Sequence, residues 1–188
     1  LHDALPIFAE MISLQESMEL AGQNLIETIS PSHDNLPFWN VVIDKDFTAQ
    51  CNFGWPSHNV GRWLDAMLRL EAATGFVIPP DAEAAMLKNI LRCIDNPLHI
   101  CGRVATADKI PVGWIDTHSQ RETLLALACL IRYRNSVWAA EKGAALVRAL
   151  DRYILPDGRF DRAYMAELMR QSGRPMEDPE PDKPANAS

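Results

Sequence analysis

Apolar residues recur along this chain at spacings of three and four, the period of a helix with one buried face. Phe8, Met11, Ile12, Leu14, Met18, Leu20, Leu25 and Ile26 form a first stripe over residues 8–29. Residues 31–57 break the period. They are dense in Pro, Asn, Asp and Gly and hold one short apolar run, Phe38 to Ile43, that reads as a strand or a packed loop. From Asn59 a second helix carries Val60, Trp63, Leu64, Met67, Leu68 and Leu70 and stops at Thr74-Gly75. Glycine suits that stop because it takes the left-handed conformation without a Cβ clash. Pro79-Pro80-Asp81 opens a third helix with Met86, Leu87, Ile90, Leu91 and Ile94 as its stripe. Pro80 fits a first turn, and Asp81 and Glu83 complement the positive end of the helix dipole. Thr117 or Ser119 is expected to cap a fourth helix ending near Asn135. A fifth runs from about Val137 to Ile154, and a sixth from about Asp161 to Gln171 after the turn Leu155-Pro156-Asp157-Gly158-Arg159.

The pattern repeats at a shift of 60 residues. Between 58–94 and 118–154, nine of 37 ungapped positions are identical: His58/His118, Leu64/Leu124, Ala66/Ala126, Leu70/Leu130, Val77/Val137, Ala84/Ala144, Ala85/Ala145, Arg92/Arg152 and Ile94/Ile154. Average composition gives about two or three by chance. Gly75 and Asn135, both left-handed helix stops, also align. Ala66, Ala126 and Ala128 make the first helix of each pair slim, as close-packed inner helices require. Gly54-Trp55 and Gly113-Trp114 each lead into a His at or near a helix start. Shared Leu and Ala stripes explain part of the match; the His and stop positions do not follow from apolar periodicity.

The two ends differ in kind. Leu1 to Ile7 is what CTA-CAC-GAC-GCT-CTT-CCG-ATC would encode, a string resembling the tail of a sequencing-library adapter, so residues 1–7 are expected to be an artefact and are set aside. Residues 173–188 include four prolines and almost no apolar residue. Such a segment buries too little surface to offset its ordering entropy and reads as a disordered tail or truncated linker. Residues 8–172 form the expected domain, in a chain read as a fragment.

Composition narrows the class. The formal charge is 18 − 25 = −7, against a general nucleic-acid binder, which needs a basic face. No apolar run of about 18 residues exists to span a bilayer. Cys51, Cys93, Cys101 and Cys129 form no CxxC pair and no short-spaced Cys/His cluster, which argues against a small zinc module. They read as reduced thiols or as one or two bridges, so compartment and localisation stay open. No cofactor or metal is indicated.

Gly61-Arg62-Trp63-Leu64-Asp65-Ala66 followed by Ala73-Thr74-Gly75 resembles the "GR-x-L-x-A … ATG" helix of six-hairpin glycosidase-like proteins, a group that includes bacterial β-L-arabinofuranosidases. His118-Ser119-Gln120-Arg121-Glu122 before Leu124-Leu125-Ala126-Leu127 looks like the equivalent helix of the next hairpin. The resemblance covers roughly residues 8–170. It implies an all-α fold of repeated antiparallel helical hairpins, a partial (α/α)6 toroid supplying about three of six hairpins, with the C-terminal half of the same chain missing. It further implies a carbohydrate substrate in a cleft at the N-terminal ends of the inner helices. The arabinofuranosidase branch uses a Cys-rich zinc site with a Cys nucleophile; the Cys spacing here departs from that pattern, and the chemistry is not carried over.

The expected cleft is lined by residues 44–65 and 113–122. Trp55 and Trp114 are either sugar-stacking platforms, each contact worth about 0.5–1.5 kcal/mol beyond burial, or core aromatics. Trp39 and Trp63 read as packing residues. His58, Arg62, Asp65 and Arg69 fall at i, i+4, i+7 and i+11 along one helix face. They read as substrate binders, with Arg62 matched to a uronate carboxylate, or as a solvated face with an Arg62–Asp65 or Asp65–Arg69 ion pair. Asp116, His118, Arg121 and Glu122 form a second cluster. Glycoside hydrolysis needs two carboxylates, one protonated and one ionised. Asp116 is one candidate, or else a helix cap. Its partner is Glu122, Asp44, Asp46 or a residue of the missing half. A polysaccharide lyase would instead use His118 as base beside an Arg. A non-catalytic helical binding module is the remaining alternative. His33-Asp34-Asn35 reads as a turn.

Overall fold

The computed structural model describes residues 12–38, 40–53, 56–96, 98–101 and 117–161, together with 163, 164 and 167. The chain is mostly helical, with two short hairpins between its first and second helices. Helix α1 (Leu14–Glu27) starts from a reciprocal cap: Glu16 N donates to Ser13 Oγ at 3.1 Å, and Ser13 N donates to the Glu16 carboxylate at 2.7 Å. Two donors that a helix start leaves orphaned are thereby satisfied. Strands β1 (Ile29–Ser30) and β2 (Leu36–Pro37) pair antiparallel around a 3-10 turn, Pro31–His33, with Asp34 and Asn35 both at φ 57°. His33-Asp34-Asn35 is therefore a turn. The apolar run ending at Ile43 becomes strand β3 (Asn40–Ile43), antiparallel to β4 (Ala49–Asn52) with Val41 opposite Cys51.

Helix α2 (Pro56–Thr74) begins three residues ahead of the expected Asn59. Proline is accepted there because the first helical N–H has no intrahelical partner to lose. Helix α3 (Pro80–Ile94) follows, then α4 (Thr117–Arg134) and α5 (Val137–Tyr153), the last capped by Ser136 Oγ accepting from Ala139 N. Gly75 (φ 77°) and Asn135 (φ 50°) both terminate a first-of-pair helix in the left-handed conformation. The sixth helix expected over Asp161–Gln171 lies largely outside the described residues, as do residues 1–7 and 173–188.

Helices α2 and α4 run side by side in the same direction at the centre of the packing. Contacts climb both in step: Ser57 with Ser119, His58 with His118, Arg62 with Glu122, Asp65 with Cys129. Helix α3 folds back on α2 and α5 on α4. The core between them holds Trp63, Leu64, Met67, Leu68, Met86, Ile90, Leu127, Leu130 and Leu146, all almost fully buried. Trp63 is a packing residue, and its indole N–H also donates to the Leu25 carbonyl at 2.9 Å, tying α1 to α2. At the far end, Arg134 of α4 forms ion pairs with Glu71 of α2 and Glu83 of α3.

Two expectations need correction. Ser119 is not a cap: it lies inside the first turn of α4, buried, with its hydroxyl bonded to Ser57 across the seam. The slim positions also differ. Ala126 is buried, but Ala66 and Ala128 face outward. The tight approach is made by Gly61, where an added Cβ would sit 2.7 Å from the Glu122 carbonyl carbon.

Candidate functional site

Polar residues of α2 and α4 gather at their shared N-terminal end. His58 is buried and His118 is half-buried. Their rings stack with centroids 5.9 Å apart and planes 17° from parallel. Parallel neighbouring helices in a 60-residue register produce this: each His stands in the first turn, facing its counterpart. Ser57 and Ser119 seal the seam just beside the rings, 3.0 Å apart.

One turn further in, Glu122 collects cations. Its Oε1 accepts from Arg62 Nε at 3.2 Å and from Arg121, and lies 3.9 Å from His58 Nε2. The Glu122 side chain is 7% exposed, while those of Arg62 and Arg121 are 47% and 55% exposed. Burial by itself raises the carboxyl's pKa. The hydrogen bonds and charges of Arg121 and Arg62 outweigh it and hold Glu122 below its ordinary value of 4.5, so the group is ionised at neutral pH. Two guanidinium groups therefore share one carboxylate.

Asp65 sits apart from this cluster, in the i,i+4 ion pair with Arg69 at 2.7 Å. Cys129 Sγ also donates to Asp65 Oδ1, at 3.0 Å. Burial, together with that carboxylate, pushes the Cys129 thiol up to about 11, so it is not a nucleophilic thiolate. Asp44 closes the β3–β4 turn, its carboxylate accepting from Asp46 N and Thr48 N, both at 2.9 Å. His33 stacks on Phe53 in the early turn, with centroids 3.9 Å apart.

Of the residues singled out from sequence, His58, Arg62, His118, Arg121 and Glu122 come together, and Asp65 is diverted to Arg69 and Cys129. Trp55, Trp114 and Asp116 lie outside the described residues. Sequence reasoning missed Ser57, Ser119 and Gly61 as seam residues. The paired serines flanking the paired histidines were the available signal.

Among the described residues, no three His, Cys, Asp or Glu side chains are grouped to hold a metal ion, and no helix is long and apolar enough to cross a membrane. One open hollow of about 370 Å³ adjoins Arg121 between α4 and the end of α5, lined mainly by Leu124, Leu125, Leu150, Ile154 and Phe160. The chain shows no significant match to any known family model, curated protein or solved structure.

Proposed function

We propose that the chain is part of a carbohydrate-active enzyme built as an (α/α)6 toroid, of which residues 8–172 supply about three hairpins and the missing C-terminal half the rest. The observation carrying this reading is the parallel stack of His58 on His118. It brings the N-terminal ends of α2 and α4 to one polar patch, which supports a cleft shared by successive hairpins. The half-exposed Arg62 and Arg121 suit an acidic sugar, because the planar guanidinium fork matches a uronate carboxylate.

The reaction we assign is hydrolysis of a glycosidic bond by paired carboxylates. One member must be ionised. Glu122, held so by Arg62 and Arg121, fits that role. Asp116, one residue before α4, is the candidate for the protonated partner, and Trp55 and Trp114 are the candidate stacking platforms. A lyase is the second reading. It is favoured by the half-buried His118 imidazole, stacked on His58 at the same end of the helices as Arg62 and Arg121, a candidate base with cations able to stabilise an enolate-like charge.

The test is to express the complete reading frame and assay it on neutral and uronic oligosaccharides. New reducing ends without unsaturation, lost in Glu122→Gln and Asp116→Asn, support hydrolysis. An ultraviolet-absorbing unsaturated product, lost in His118→Ala, supports the lyase. Binding without turnover leaves a glycan-binding module, and neither binding nor turnover removes the carbohydrate reading.

A further inference from the structure

The strongest feature outside the polar cluster is a buried pair of thiols. Cys93 stands in the last turn of α3 and is 2% exposed; Cys101, eight residues on, is fully buried. Both are free thiols, and the Cys101 side chain is the main cause holding the Cys93 thiol well above its ordinary value. The segment between them is folded into a closed loop by one side chain. Asn96 Nδ2 donates to the carbonyls of Cys93 (3.3 Å) and Ile100 (2.7 Å), and Asn96 Oδ1 accepts from Leu98 N. Cys101 is clamped to α4 as well: its N donates to Gln120 Oε1 at 2.9 Å, its carbonyl accepts from Gln120 Nε2, and its sulfur accepts from Thr123 Oγ1 at 3.0 Å. One Asn96 amide thus draws the Cys93 carbonyl and the carbonyl next to Cys101 together, and the Cys101 backbone is fixed from α4.

We propose that Cys93 and Cys101 close into a structural disulfide when the protein folds in the presence of a small disulfide oxidant of the glutathione type. One cysteine thiolate attacks the oxidant, expels one thiolate and leaves a mixed disulfide. The other cysteine thiolate then attacks the protein sulfur of that mixed disulfide and expels the second thiolate. Two protons and two electrons pass from the cysteines to the oxidant, which departs as two thiols. Reaction precedes or accompanies folding, because the finished structure hides both sulfurs. The contact with Cys101 and burial also push the Cys93 thiol well above its ordinary value, so little thiolate forms in the native state. The bridge joins the end of α3 to the residue held by Gln120, two positions before Glu122. It thereby ties the polar cluster's base to the neighbouring hairpin.

Arg92 and Arg103 bracket both cysteines, so one tryptic peptide, 93–103, reports the state of the pair. The protein, expressed from its complete reading frame, is refolded with oxidised or with reduced glutathione, then denatured, alkylated and digested. The expected result with oxidised glutathione is that peptide unalkylated and two hydrogens lighter, with Cys51 and Cys129 alkylated. The thermal midpoint should stand roughly 5 °C above that of the reduced protein, since the cross-link restricts the unfolded chain. The gain should persist in Cys129→Ser. Alkylation of both cysteines after oxidation, pairing of either with Cys51 or Cys129, or an unchanged or lowered midpoint overturns the proposal. The mass readout needs no substitution in the pair itself.

Discussion

Gly61 and Glu122 meet backbone to backbone across the α2–α4 seam. A Cβ on Gly61 would lie 2.7 Å from the Glu122 carbonyl carbon and 2.8 Å from its oxygen, so helix, not side chain, would have to move. Gly61→Ala is therefore expected to destabilise the protein by about 1–3 kcal/mol, as overpacking does. Gly143 is the contrast: its added Cβ would meet only Leu127, at 3.8 Å. There the same change should stabilise by about 0.5–1 kcal/mol through helix propensity alone. Denaturant midpoints of the two variants should move in opposite directions, and a neutral Gly61→Ala would refute a backbone contact at this seam.

That seam delivers Glu122 to its arginines, and the cluster should show in the pH dependence of stability. The folded-state pKa of Glu122 is depressed, so its contribution is present above the ordinary value of 4.5 and is lost as pH falls through the lower folded value. Glu122→Gln should cost about 1.5–3 kcal/mol at pH 7, the range for hydrogen bonds to a charged group. The difference between variant and parent should shrink as pH drops below 4.5. Urea melts at pH 7 and pH 3 measure it; an equal gap at both would show that the charge on Glu122 contributes nothing.

The helices were legible because their ends carry strong local chemistry. Pro80, Gly75 and Asn135 mark boundaries through backbone geometry that few other residues satisfy, and the structure uses all three. The meeting of His58 with His118 was legible through the 60-residue shift. The Arg62–Glu122 pair stands at the same shift as opposite charges rather than identical residues, so sequence identity gives no sign of it. The Asp65–Arg69 pair was visible as i,i+4 spacing and is formed. The β3–β4 hairpin gave a weak signal for a physical reason. Val41, Val42 and Ile43 are all exposed, so no alternation of buried and open positions marks the strand.

The left-handed stops should be separable from packing. An added Cβ at Gly75 meets nothing within 4 Å, so only its φ of 77° penalises a side chain. Gly75→Ala should cost about 1–2 kcal/mol. Gly75→Asn should cost less, since Asn tolerates this conformation and already occupies it at position 135. Thermal melts of the two variants give the order; a Gly75→Asn variant less stable than Gly75→Ala would refute the conformational account.

The early turn is held from α3 by a buried amide, beside the Arg92–Asp34 ion pair. Asn89, 2% exposed, donates through Nδ2 to the carbonyls of Asp34 (3.0 Å) and Asn35 (3.2 Å), while its Oδ1 accepts from Arg92. Both acceptors stand at φ 57°, a conformation that costs free energy in non-glycine residues and persists only when something outside the turn fixes it. Asn89→Leu keeps the volume but leaves the two carbonyls without that donor, at an expected cost of about 1–3 kcal/mol. The loss should be local before it is global. Amide exchange at Asn35 and Phe38, whose N–H groups bond to Ser30 and Thr28, should accelerate well beyond that of the α2 and α4 cores. Uniform acceleration across the chain would instead make Asn89 part of the central packing rather than the strut of the turn.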